Sequence, residues 1–145
     1  MKKLLPYVWA FHAALAAAAL LWALRGKVPG PLPDVLSPVY PSPWELGKAA
    51  FFPLLAAAPL LWRMQRGGSR GGLCLTAVCG AALALVLAWL VPPAAAAALA
   101  IGLALALYAA VLRRIGGDAL PWYALTIARA VAYILLTILP PSGGV

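Results

Sequence analysis

The chain has 145 residues, of which 66% are hydrophobic and 10% charged, with a mean hydropathy of +0.98 and a net charge of +8. Because a soluble domain is about a quarter charged, this composition indicates a membrane protein, and the length leaves room for a single membrane domain, residues 1–145. The positive charges lie between apolar runs and do not share one polar face, so they are topology signals and nucleic acid is excluded as a partner.

Five apolar runs predict an all-α, polytopic integral membrane protein with a bundle of five transmembrane helices. The runs are residues 4–24, 44–62, 73–91, 94–112 and 120–139. Each is close to the ~20 residues that cross a hydrocarbon core of ~30 Å. The first run follows Lys2 and Lys3 and can also be interpreted as a cleaved signal peptide. It is longer than the ~7–15 apolar residues usual in such a peptide, so we interpret it as a helix.

The segments between the runs carry the turn residues and most of the charge. Residues 25–43 hold six prolines, which predicts an extended or turned segment without regular helix. Residues 63–72 are predicted to be a flexible, basic, glycine-rich loop. Residues 113–119 form the next polar loop, in which Asp118 is placed to cap the fifth helix.

The distribution of basic residues predicts how the bundle crosses the membrane. With five spans, the N-terminus and the loops at 63–72 and 113–119 share one side, which carries seven Lys or Arg residues against three on the other. The seven are Lys2, Lys3, Arg63, Arg66, Arg70, Arg113 and Arg114, and the three are Arg25, Lys27 and Lys48. This bias predicts a multi-pass plasma membrane protein whose N-terminus is cytoplasmic and whose C-terminus is outside.

The start of the second helix has the pattern of a capping box. Ser42 is placed as the N-cap, Pro43 as the first helical residue, and Glu45 falls three residues after the serine. In this arrangement the serine hydroxyl accepts from the Glu45 amide, and the carboxylate reaches back to the serine amide. Trp44 is expected at the membrane boundary with its indole N–H in water. Lys48 follows Glu45 at i+3, a spacing that permits an ion pair.

Arg129 is the most informative single residue, because it lies at the middle of the fifth apolar run. A charge at that depth costs at least ~2.5–3.5 kcal/mol on insertion scales, so it should face the bundle interior. One helical face holds it together with Trp122, Thr126, Tyr133 and Thr137. We predict that Arg129, Tyr133 and Thr126 form an anion-binding face, and that His12, which lies at a similar depth, can approach it. The alternative is that Arg129 snorkels or pairs structurally.

Two helices are poor in chemically reactive side chains. Small residues form one line on the third helix and another on the fourth, and such lines are predicted to let helices approach closely. The lines are Gly80, Ala84 and Ala88, and Ala98, Gly102, Ala106 and Ala110. Cys74 and Cys79 would point about 140° apart on a helix, and no C-x-x-C is present. We therefore predict no metal site and no cofactor.

The segment from Pro38 to Pro53 resembles an uncharacterised family of small polytopic bacterial membrane proteins whose signature reads P-V-N-E-S-x-W-E-H-x-K-x-x-F-F-P. The matching positions are Pro38, Val39, Ser42, Trp44, Glu45, Lys48, Phe51, Phe52 and Pro53, and Thr137, Pro140 and Pro141 match a second pattern at the end of the last span. Tyr40, Pro41 and Leu46 replace the family's polar residues, which favours a structural role for this motif. The resemblance implies a bacterial inner membrane and membrane topology, but no activity.

Taken together, these patterns predict a non-enzymatic integral membrane protein. Around Arg129 it would bind a small anionic or lipidic ligand, or a partner helix, so that the expected partners are membrane lipid, a second copy or another membrane protein. One alternative is a membrane enzyme acting on a lipid headgroup, with Glu45, Asp34, His12 and Arg129 as candidate groups. The other is a purely structural or assembly subunit.

Overall fold

The computed structural model describes residues 2–25, 27–36, 38, 43–65 and 68–139, and every regular element in these ranges is helical. The helices are α1 (Leu5–Leu24), α2 (Leu32–Leu36), α3 (Pro43–Leu46), α4 (Lys48–Met64), α5 (Arg70–Leu87), α6 (Pro93–Ala110) and α7 (Leu120–Ile138), with a 3-10 turn at Leu112–Arg114. Five spans are long and apolar enough to cross a membrane, namely α1, Trp44–Met64, α5, α6 and α7. The predicted all-helical class and the number of candidate spans are therefore confirmed.

The helix bounds differ from the predicted ones where local capping decides them. The helix α5 begins at Arg70, three residues before the predicted start, because the Ser69 hydroxyl accepts a hydrogen bond from the Gly72 amide at 3.0 Å. This brings residues 70–72 of the predicted flexible loop into a helix. At the start of α7 the N-cap residue is Ala119, and the predicted cap Asp118 lies one residue before it, where its Oδ1 accepts from the Leu120 amide at 3.0 Å.

The proline-rich segment also contains more regular structure than the sequence suggested. The short helix α2 forms within it, and Pro33 occupies its first turn, where a missing N–H breaks no helical hydrogen bond. This helix packs against α7, α1 and α4. The prediction of a segment without helix was therefore wrong at Leu32–Leu36.

The helix α5 lies at the centre of the bundle and packs against α4, α6 and α7, while α1 packs mainly against α4 and α6. Small side chains make the contact of α5 with α6 close, since Ala77, Ala81, Ala100 and Ala104 are fully buried. On α6 the buried face lies beside the predicted line of small residues and does not coincide with it, because Ala106 and Ala110 of that line are exposed. The sequence shows that alanines are abundant, but not which of them meet a neighbour.

Contacts between helix ends fix the direction of each helix in the bundle. The start of α5 lies against the end of α6, since a Cβ at Gly72 would meet the Leu112 carbonyl, and it also lies against the Trp122 ring at the start of α7. At the opposite end, the start of α4 meets the end of α7. We refer to these as the Arg70 end and the Arg25 end of the bundle. The described residues of the basic loops at 63–72 and 113–119 share the Arg70 end, as predicted.

Candidate functional site

An ion pair lies buried where α3 meets α4. Lys48 is fully buried, Glu45 is 3% exposed, and the Lys48 ammonium donates to Glu45 Oε2 at 2.8 Å. Lys48 also donates to the Thr137 hydroxyl on α7. Because a buried charge requires a partner and hydrogen bonds, the pairing that the i, i+3 spacing predicted offsets the cost of burying the Lys48 side chain.

The Thr137 hydroxyl connects this pair to α7. It accepts from Lys48 and donates to the Tyr133 carbonyl at 2.8 Å, so both its donor and its acceptor capacity are used. Tyr133 lies one turn earlier and is fully buried. Its ring packs against those of Trp44, Phe51 and Phe52, with centroids 5.2, 5.5 and 5.9 Å away.

Arg129 lies one further turn back on α7, and its guanidinium points toward the same aromatic side chains. Its Nη2 donates to the Tyr133 hydroxyl at 3.2 Å. The guanidinium carbon lies 4.9 Å from the Trp44 ring centroid and 5.4 Å from the Tyr133 centroid. Such cation–π contacts contribute ~0.5–2 kcal/mol each. We call Trp44, Glu45, Lys48, Arg129, Tyr133 and Thr137 the Arg129 cluster.

The charges of the Arg129 cluster do not balance. Glu45 engages Lys48, and within the described ranges no carboxylate lies within salt-bridge distance of Arg129. Two cations and one carboxylate leave one net positive charge. Two donors of the cluster, Arg129 Nε and Trp44 Nε1, are also buried, and neither has a hydrogen-bond acceptor in the described part of the chain. The cluster therefore has a surplus of positive charge and of N–H donors.

The position of Trp44 differs from the prediction. We expected an indole at the membrane boundary with its N–H in water, whereas the indole nitrogen is buried and unpaired. The cause is the ring's contact with Tyr133 and the Arg129 guanidinium, which turns it into the bundle.

Gly47 is a residue of this site that the sequence analysis missed. It interrupts the second span between α3 and α4, and a Cβ at this position would clash with the Tyr133 hydroxyl and stand 3.2 Å from the Trp44 carbonyl. A glycine within an otherwise helical apolar run is the signal that could have identified it, because such a residue often marks a close approach.

Thr126 and His12, the remaining predicted ligand-binding residues, hydrogen-bond to the backbone of their own helices. Thr126 is buried one turn before Arg129, and its hydroxyl donates to the Trp122 carbonyl at 2.8 Å. His12 is exposed on α1, and its Nδ1 lies 2.7 Å from the Val8 carbonyl, so the structure does not bring it to Arg129. Ser42, the expected N-cap, lies outside the described residues.

Within the described ranges, no three His, Cys, Asp or Glu side chains group as a metal site requires. Comparison of the chain with protein-family models, curated proteins and solved structures finds no match. The resemblance of the segment from Pro38 to Pro53 to a bacterial membrane family stays a prediction.

Proposed function

We propose that this chain is a non-enzymatic integral membrane protein of a bacterial inner membrane, and that it binds an anionic group through the Arg129 cluster. The group is a phosphate or carboxylate, supplied either by a lipid headgroup or by a small free anion. In this proposal the N-terminus lies in the cytoplasm and the C-terminus lies outside, as the distribution of basic residues predicts.

One observation carries the proposal: among the residues that the structure describes, the guanidinium of Arg129 has no carboxylate partner, although it lies at the middle of an apolar helix. The planar guanidinium offers several N–H groups that match phosphate and carboxylate oxygens. The side chain is half-buried, so part of it is reachable from outside the bundle. An anion bound there would offset the surplus charge.

The types of polar group around Arg129 support the same choice of ligand. The Tyr133 hydroxyl accepts from Arg129, which leaves its own hydrogen available to an acceptor. Arg129 Nε and Trp44 Nε1 have no acceptor among the described residues, so together with the Tyr133 hydroxyl the cluster offers three donors to a ligand. This supports an anion, which only accepts.

The enzymatic alternative has less geometric support. Its candidate base, Glu45, is held by the Lys48 ammonium at 2.8 Å, and His12 is exposed on α1. Asp34 lies on α2, half-buried. An acid–base pair would need two of these groups around one substrate atom. The structural alternative remains open and is separated from binding by the following experiment.

Native mass spectrometry of the purified protein, titrated with phosphatidylglycerol or with inorganic phosphate, tests the proposal. We expect Arg129→Gln to weaken one bound equivalent by ~10–100-fold, which corresponds to the ~1.5–3 kcal/mol of a charged hydrogen bond. Arg129→Lys keeps the charge but not the planar donor set, so its affinity should lie between that of the parent protein and that of Arg129→Gln. Arg114→Gln, on an exposed arginine at the Arg70 end, is the matched control.

The two probes distinguish the source of the anion, because a lipid site responds to phosphatidylglycerol alone and a small-anion site to both. Unchanged binding in Arg129→Gln contradicts the proposal. If Arg129→Gln instead fails to fold, and the folded Arg129→Lys binds as the parent does, the residue is structural and the proposal is equally overturned.

A further inference from the structure

A second feature is a groove of about 400 Å³ at the Arg25 end, and its lining includes no residue of the Arg129 cluster. It lies between the end of α1 and the starts of α4 and α6, and its lining is predominantly apolar. Its walls include Leu15, Trp22, Ala49, Pro53, Ala97 and Ile101. This volume falls in the range of ~300–1,000 Å³ that is usual for small-molecule sites.

The groove and the Arg129 cluster lie on different faces of α4. Lys48 faces α7, whereas the next residue, Ala49, lines the groove, and successive residues of a helix are turned by about 100°. Pro38, Pro53 and Pro93 are among the lining residues, and each has a restricted backbone angle.

Charge at one end of the groove indicates the kind of occupant. Arg25 is both a lining residue and the C-cap of α1, and it is exposed. Trp22, the lining residue one turn before Arg25, has the amphipathic ring that is enriched where acyl chains meet headgroups. An apolar groove with a guanidinium at one end matches a ligand in which an apolar chain is attached to an anion.

We propose that this groove binds one acyl chain of an anionic glycerophospholipid, with the lipid phosphate at Arg25. The acyl chain fills the space between α1, α4 and α6, and the guanidinium donates to the phosphate oxygens as a fork. A zwitterionic lipid would fill the same groove but bring its own cation to Arg25. The site therefore selects the headgroup by charge.

Native mass spectrometry with dioleoylphosphatidylglycerol and dioleoylphosphatidylcholine separates the two parts of this site. Arg25→Gln should reduce the preference for phosphatidylglycerol by ~10-fold, the effect of one lost charged hydrogen bond, while phosphatidylcholine binding persists. Lys27→Gln removes the same charge two residues away, outside the groove lining, and should leave the preference nearly unchanged.

Filling the groove tests the acyl chain directly. Ala98→Leu adds bulk to the lining and should remove one bound equivalent of both lipids. Ala106→Leu makes the same change on an exposed position of α6 and should bind as the parent does. Ala94→Leu, at an exposed lining position, serves if Ala98→Leu does not fold.

The proposal is overturned if the folded groove-filling variant keeps the full lipid count, or if Arg25→Gln keeps the headgroup preference. Failure here is distinct from failure at Arg129. Arg129→Gln should keep the lipid bound in the groove, which Ala98→Leu removes. The variant that carries both substitutions should lose the ligand of the Arg129 cluster and the lipid of the groove.

Discussion

At the scale of single residues, Lys48 is held inside the bundle by the Glu45 carboxylate and by the Thr137 hydroxyl of α7. The i, i+3 spacing to Glu45 indicated an ion pair, because those positions are neighbours on any helix. That α7 covers the pair and supplies the Thr137 hydroxyl is a tertiary fact, which no local pattern contains. The unpaired indole of Trp44 was missed for the same reason, since its position depends on Tyr133 from a distant segment.

The buried pair makes a testable prediction about stability. Lys48→Met leaves the Glu45 carboxylate buried without its cation and should destabilise the protein by ~3–5 kcal/mol, as breaking one side of a buried ion pair does. The double variant Glu45→Gln with Lys48→Met removes both charges and should recover much of that loss. Reversible unfolding in mixed micelles, followed by circular dichroism, measures both values.

Lys27→Met is the control for this experiment, because it removes an exposed lysine and should change the free energy of unfolding by no more than ~0.5 kcal/mol. A double variant as unstable as Lys48→Met would show that the lysine contributes through packing and the Thr137 hydrogen bond, and not through its charge.

At the scale of helices, the polar face of α7 was predictable and the glycines of α5 were not. Thr126 and Tyr133 are the buried residues of α7, so the face identified by its 3.6-residue period does pack on the bundle. Glycine, in contrast, is found both in flexible loops and where two helices approach closely, and the sequence alone does not distinguish the two roles. Gly71 and Gly72 were interpreted as flexible loop, yet both are buried in the first turn of α5.

The glycine at position 72 should therefore be sensitive to a single methyl group. A Cβ there would clash with the Leu112 carbonyl, which is backbone and cannot turn away, so Gly72→Ala should destabilise by ~1–3 kcal/mol, the usual cost of overpacking. Gly102→Ala is the matched control, because its Cβ would meet only the Phe11 ring, at an ordinary 3.5 Å. The control should be neutral or more stable by up to ~1 kcal/mol. Equal loss of stability in the two variants would contradict this account.

At the scale of the whole molecule, hydropathy gave the number and approximate length of the spans, because the apolar stretch needed to cross lipid is fixed by membrane thickness. It gave less about which helices are neighbours. Lipid tails are as apolar as a helix surface, so burial against protein leaves only a weak mark on the sequence. The groove at Arg25 could not be predicted for this reason. Its lining residues come from separate segments, and within each segment they form no distinctive pattern.

The orientation of the bundle is the last prediction, and it decides which leaflet meets each site. The sequence predicts seven basic residues on the side of the Arg70 end and three on the side of the Arg25 end, so we expect the Arg70 end to lie in the cytoplasm. With Cys74 and Cys79 replaced by Ala, we expect a membrane-impermeant maleimide to label Val28→Cys in intact cells, and Gly116→Cys only after permeabilisation. Both positions are exposed, and neither substitution changes a charge.

Labelling of Gly116→Cys in intact cells, with Val28→Cys protected, would reverse the assignment.

The orientation also decides which lipids can reach the groove, because the Arg25 groove can only take its lipid from the leaflet at its own end. In the predicted orientation that is the outer leaflet of the inner membrane, and the Arg129 guanidinium, which leans toward Tyr133 and Trp44, also points to that side. The labelling pattern therefore determines where both proposed sites find their anions.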